Sequence, residues 1–148
     1  MRNATCCLLV VLFGSWSSSL GQSAPKFTSP QIVATFERLG QTADIPPTTI
    51  YTPRKWGTFR ISIVMVGIEA NGTFNTDWET QVHFTDANGE NVPCSVCEVD
   101  LALDRRRNSV GEFPIRAKAG APIKVSVTSQ GNTQNTKYNV WVVVEQLM

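Results

Sequence analysis

The sequence is poor in the residues on which catalytic and metal centres are built. One histidine, His83, serves all 148 residues. A Cys-His or Ser-His-Asp system therefore has a single possible base, and no nucleophile or orienting carboxylate is evident beside it. His83 shares the polar side of an alternating run with Glu79, Gln81 and Thr85, which is the pattern of a surface histidine. Cysteine is scarce as well: of four, Cys6 and Cys7 lie in an N-terminal apolar block, leaving Cys94 and Cys97. An excess of one charge is missing too, with 13 basic and 12 acidic residues. Arg2 belongs to the N-terminal block, so the rest of the chain is formally neutral. A nucleic-acid binder carries a basic excess to meet the phosphates, so nucleic acid is not an expected partner. Beyond the N-terminal block no run approaches the ~20 apolar residues of a membrane span. Internal repeats, low-complexity tracts and long helical patterns are also absent.

The N-terminal block has its own logic. Arg2 precedes Cys6 to Phe13, which is apolar throughout, and small and polar residues follow at Ser15 and Ser17 to Ser19. Charge, short apolar core and small residues in that order make a signal peptide. Ser19 and Gly21 place its cut before Gln22. An uncleaved anchor would need a longer apolar run. The expected organisation is a signal peptide over 1–21, an arm with a first strand or short helix over 22–47, and a β-sandwich domain over 48–148. The expected location is secreted or otherwise exported, extracellular or periplasmic. In such a compartment the pair Cys94 and Cys97 reads as a disulfide that stiffens one turn. A redox pair would call for a helix N-terminus, and a zinc site for four ligands.

What the chain does contain is alternation. Phe59, Ile61, Ile63 and Met65 recur at every second position, as do Trp78, Thr80, Val82 and Phe84, then Cys97, Val99, Leu101 and Leu103. A two-residue period puts these side chains on one face of a strand. Gln31 to Leu39 fits a helical turn almost as well, but its neighbours are strands and a strand is expected. Gln41 to Pro47 reads as a loop closed by a proline pair, and Thr48 to Thr52 as a short strand. Gly67 to Asp77 reads as a polar loop, Asp86 to Glu90 as a hairpin turn, and Arg105 to Gly111 as an exposed basic loop. At the C-terminal end, Phe113 to Ala117, Ile123 to Val127 and Tyr138 to Leu147 read as one antiparallel unit. Gly120 and Pro122 turn the first two, and the last, apolar on both sides, is central. The count is seven to eight strands with no long helix. The expected fold is all-β, a single antiparallel β-sandwich of jelly-roll type.

Two stretches carry a family likeness. Phe59-Arg60-Ile61-Ser62-Ile63, after a proline-containing turn and Gly57, resembles the first long strand of the C1q/TNF-like jelly roll. Ala117-Lys118-Ala119-Gly120 leading into Ile123-Lys124-Val125-Ser126-Val127 is similar to its penultimate hairpin. The same strand order resembles small β-sandwich domains of bacteriophage virion and appendage proteins. The likeness spans Thr48 to Leu147 and lacks the collagen-like segment that precedes C1q domains. It implies a homotrimer presenting loops to a partner, and it carries no catalytic residue.

The expected function is therefore non-enzymatic binding or assembly, with no cofactor, metal or catalytic residue. The expected contacts are Arg54, Trp56, Arg105, Arg106 and Arg107. The arginines can grip sulfated or carboxylated groups through paired hydrogen bonds, although a charge run at a loop tip is also what solvation alone would produce. Trp56 is either a lid on the sandwich or an exposed anchor, and the lid is the commoner outcome. A carbohydrate-binding module is the second reading, with Trp56 stacking on a sugar and Asn71 and Asn75 reading hydroxyls. A secreted carboxylate hydrolase is the third. Asn71-Gly72-Thr73 is a glycosylation sequon if the source is eukaryotic. An apolar patch on one sheet would favour assembly; a cleft with facing carboxylates would favour the hydrolase.

Overall fold

The computed structural model describes residues 29–69, 77–94, 108–130 and 136–147. Cys97, the Arg105 to Arg107 run, Asn71, Asn75 and the N-terminal block lie outside them, as does the strand expected at 97–104. The described residues form eight strands and no helix: β1 (Gln31–Gln41), β2 (Ile45–Tyr51), β3 (Gly57–Glu69), β4 (Asp77–Thr85), β5 (Asn91–Cys94), β6 (Asn108–Ala117), β7 (Ile123–Gln130) and β8 (Lys137–Gln146).

These strands divide into two antiparallel four-stranded sheets, ordered β1-β8-β3-β6 and β2-β7-β4-β5. First pairs with last, second with seventh, third with sixth and fourth with fifth. That is one long hairpin wrapped over itself, the jelly-roll solution to burying two sheet faces against each other. The alternation in the sequence supplies the burial: Phe59, Ile61, Ile63 and Met65 from β3 meet Trp78 and Val82 from β4. Val140, Val142 and Val144 from β8 and Ile123, Val125 and Val127 from β7 fill the rest.

Four readings of the sequence need correction. The strands at 113–117, 123–127 and 138–147 do not form one unit. β6 and β8 lie in the first sheet without pairing each other, and β7 lies in the second. Residues 118–122 thus make a corner between sheets, where Gly120 at φ +76° donates its N–H to the Pro53 carbonyl (2.8 Å). Second, Pro46 and Pro47 lie inside β2. They occupy a bulge between Ile45 and Thr48, which pair with Val127 and Val125. β2 is an edge strand, so neither missing N–H breaks a ladder. Third, Asn108 to Gly111 is not loop but the start of β6, opposite Val66 to Ile63. Fourth, β3 continues through Ile68 and Glu69 into the expected loop, held there by β8. β1 is a strand and β8 is central, as expected.

Gly120 has open space where a Cβ would stand, so its only need is the left-handed backbone. Gly120→Ala is therefore expected to cost about 1–2 kcal/mol through conformation alone, read as a lower urea midpoint with an unchanged slope.

Candidate functional site

Two surfaces stand out, and both follow from the jelly-roll wrapping. The first is at one end of the sandwich, where three connections meet. The Lys118 N–H donates to the Thr85 carbonyl (2.9 Å), Asp86 bridges to Ala117, and Gly120 holds Pro53. The 52–56 link, the 86–90 hairpin and the 118–122 corner are thereby laced together. Trp56 stands there 64% exposed. The lid expectation is overturned: the Trp56 ring stays mostly in water, while Phe59 is buried and packs at 5.7 Å against the partly buried Tyr51. The Arg116 guanidinium sits 5.6 Å from the Trp56 ring centroid. Pairing of Thr58 with Arg116 brings these distant residues together. Beside them is a depression of about 410 Å³ lined by Trp56, Ala87, Arg116, Lys118 and Ala119. Arg54 is exposed in the same link but is not in that lining. Arg116 and Lys118 escaped the sequence reading because alternation marks them only as solvent-facing.

The hairpin in this end group is built by Asp86. Its Oδ1 accepts the N–H groups of Asn88 (2.8 Å) and Glu90 (2.9 Å), and its Oδ2 accepts the Asn88 amide (3.3 Å). The turn therefore uses the carboxylate itself. Backbone donation, from Glu90 first and then Asn88 and Gly89, holds the Asp86 carboxyl below the usual carboxylate range. A depressed carboxyl stabilises the fold fully above its unfolded pKa, and that contribution is lost as pH falls through the folded value. The Asn88 and Glu90 amide resonances are expected to titrate together, with a midpoint below that of a free aspartate. A midpoint at the free value would show that the cap is not formed.

The second surface is the outer face of the β1-β8-β3-β6 sheet. In register, Val110, Val64, Trp141 and Glu37 form a row across all four strands. Val110 is 69% exposed; Val64, Val66, Ile68, Trp141 and Val143 are half-buried. Ile32 and Leu39 on β1 are exposed. The Trp141 indole N–H donates to Glu37 (3.0 Å), which fixes the ring against the face. Nearby charge is already matched: Arg60 pairs with Glu145 and, at 3.5 Å, with Glu112. Glu145 foremost, then Glu112, raises the Arg60 pKa.

The opposite outer face differs. It carries Glu79, Gln81, His83 and Thr85 from β4 and Lys124, Ser126 and Thr128 from β7. His83 Nε2 lies 2.9 Å from the Ser126 hydroxyl, a Ser-His pair the sequence did not reveal. Ser126 is only 3% exposed, so this contact ties β4 to β7 and offers no accessible nucleophile. His83 also lines a depression of about 410 Å³ with Phe84, Thr85, Asn91, Val92, Pro122 and Lys124. Among the described residues no group of three or more His, Cys, Asp or Glu is placed to hold a metal ion. Of the expected disulfide, Cys94 ends β5 opposite Val82, and its partner lies outside the described residues.

Against known proteins the sequence is isolated and the fold is not. No protein-family model matches it, and no curated protein gives a significant match. The structure is similar to VP2 in the subviral particle of infectious bursal disease virus, with a TM-score of 0.50 and 10% identity over 92% of this chain. The chain shares a jelly roll with VP2. The match spans 37% of that VP2 chain. Eiger TNF from S. frugiperda is also similar, with a TM-score of 0.45 and 11% identity over 78% of this chain and 86% of that one. No helix among the described residues is long and apolar enough to cross a membrane.

Proposed function

We propose that the chain is an exported, non-enzymatic jelly-roll module that works by assembly, through contact between copies on the outer face of the β1-β8-β3-β6 sheet. The observation that carries this is the difference between its two outer faces. One is polar, with its groups bonded along the sheet. The other presents Val110, Ile32 and Leu39 exposed around half-buried Val64, Val66, Trp141 and Val143. Contiguous apolar surface on a soluble domain marks an interaction site, and a core of aromatic and aliphatic side chains with a charged border is interface anatomy. Arg60, Glu112 and Glu145 supply such a border. A homotrimer is the state implied by the C1q/TNF-like resemblance, and VP2, which shares the fold, is found in a subviral particle.

Hydroxyl-radical footprinting of native protein beside a Val110→Lys variant tests the surface. Trp141 is expected to be protected several-fold in the native protein and not in the variant, while Trp56 at the sandwich end is labelled equally in both. Equal labelling of Trp141 would place the contact elsewhere. Export and the disulfide belong to the same reading. Intact mass of the exported protein should begin at Gln22 and rise on reduction as the Cys94–Cys97 bridge opens; an unchanged mass would remove the bridge.

A further inference from the structure

We infer that the depression beside Trp56 is a binding site for an acidic saccharide, in which the indole stacks on a sugar ring while Arg116 and Lys118 hold its carboxylate or sulfate. This goes beyond assembly and is independent of it: Val110 lies six residues from Arg116 along β6, about 20 Å away at the strand repeat.

Three observations carry the assignment. Trp56 remains 64% exposed even with Arg116 over it, so a broad part of the ring is open. Tryptophan pairs a large apolar face with a polar edge and is enriched at binding surfaces, and the C–H face of a pyranose is a flat apolar surface of matching shape. Next, the charge in the depression is of one sign. Two of its five lining residues are cationic and none is acidic. The nearest carboxylate in sequence, Asp86, has its oxygens turned into its own hairpin. Finally, the platform is held by backbone. The Lys118 N–H to Thr85, the Gly120 N–H to Pro53 and the Asp86–Ala117 bridge fix the three connections, which limits the ordering cost of binding. Lys118 Nζ lies beside Gly89 of the hairpin, 3.4 Å from where a Cβ would stand.

A single-stranded nucleic acid also stacks and carries charge, but such sites set successive aromatics along a basic groove. Here a single aromatic stands beside one open depression, on a chain of net charge +1. A neutral sugar would make no use of the positive charge on Arg116 and Lys118.

Isothermal titration calorimetry of the exported protein tests this with a heparin-derived hexasaccharide, a galacturonate hexamer, cellohexaose and a short oligothymidylate. At least one acidic hexamer is expected to bind at least tenfold more tightly than cellohexaose and the oligothymidylate, with affinity falling as salt rises. Trp56→Ala is expected to lose at least tenfold and Trp56→Tyr to keep most of the binding. The Arg116→Ala, Lys118→Ala double variant should flatten the salt dependence. Because all three side chains are exposed, circular dichroism melts should match the parent. Failure of both acidic hexamers to bind, equal binding of cellohexaose, tighter binding of oligothymidylate, or indifference to Trp56→Ala would each overturn the assignment.

Discussion

Trp78→Ala is expected to remove about 3–5 kcal/mol of stability, a large share of the ~5–15 kcal/mol that holds a domain of this size together. Trp78 comes from β4 and has no exposed surface; its ring lies 4.4 Å from that of Tyr138 on β8, tilted by 40°. The pair spans the two sheets, so truncation leaves a cavity that neither sheet can close without moving. Tyr138 is itself fixed, donating its hydroxyl to the Ala43 carbonyl at 2.9 Å, and burial pushes its pKa up. Trp78→Phe separates packing from polarity. Among the described residues the Trp78 indole N–H is buried without a partner, and an unmet buried donor costs about 1–3 kcal/mol. Phenylalanine loses some volume but also that donor, so Trp78→Phe is expected to cost less than about 2 kcal/mol. Urea unfolding followed by far-ultraviolet circular dichroism reads both without relying on the altered fluorophore. Equal losses for the two variants would mean that the indole N–H has found a partner.

Val110→Lys is expected to dissociate the proposed assembly while leaving the fold intact. At 69% exposure Val110 contributes little to its own domain, and surface substitutions of this kind stay within about 0.5 kcal/mol. At a contact between copies the same lysine is a charge taken out of water without a partner, costing several kcal/mol per contact. Since each 1.4 kcal/mol is tenfold in affinity, a loss of about 100-fold or more is expected. The control is Thr128→Lys, which adds the same charge to an exposed position on the polar sheet and should leave the assembly unchanged. An equal effect of the two lysines would point to net charge rather than the apolar face.

Much of this architecture is legible in the alternation. The cores of β3, β4 and β7 are legible because one face of each is buried, although β3 and β7 each run about three residues past the alternation. The period says nothing about which sheet a strand joins. Phe113 to Ala117 and Ile123 to Val127 look like a hairpin, since a short link with Gly120 and Pro122 suits either a hairpin or a corner. Only the pairing of β6 with β3 and of β7 with β4 decides between them. β2 begins before Thr48 because the rule that keeps Pro46 and Pro47 out of sheet interiors does not apply to a bulge on an edge. The sites were less legible for the same reason. Nothing near Trp56 in sequence announces Arg116, which arrives through ladder register. The apolar row Val110-Val64-Trp141 exists only once three strands separated in the chain lie side by side.

The measurement closest to the central claim is the absolute mass of the purified protein in solution, by light scattering across a range of concentrations. The account predicts a multiple of the single-chain mass, with three copies expected, falling to one copy in Val110→Lys. A single-chain mass for the native protein at every concentration would contradict it and leave the outer face of the β1-β8-β3-β6 sheet without the role proposed for it.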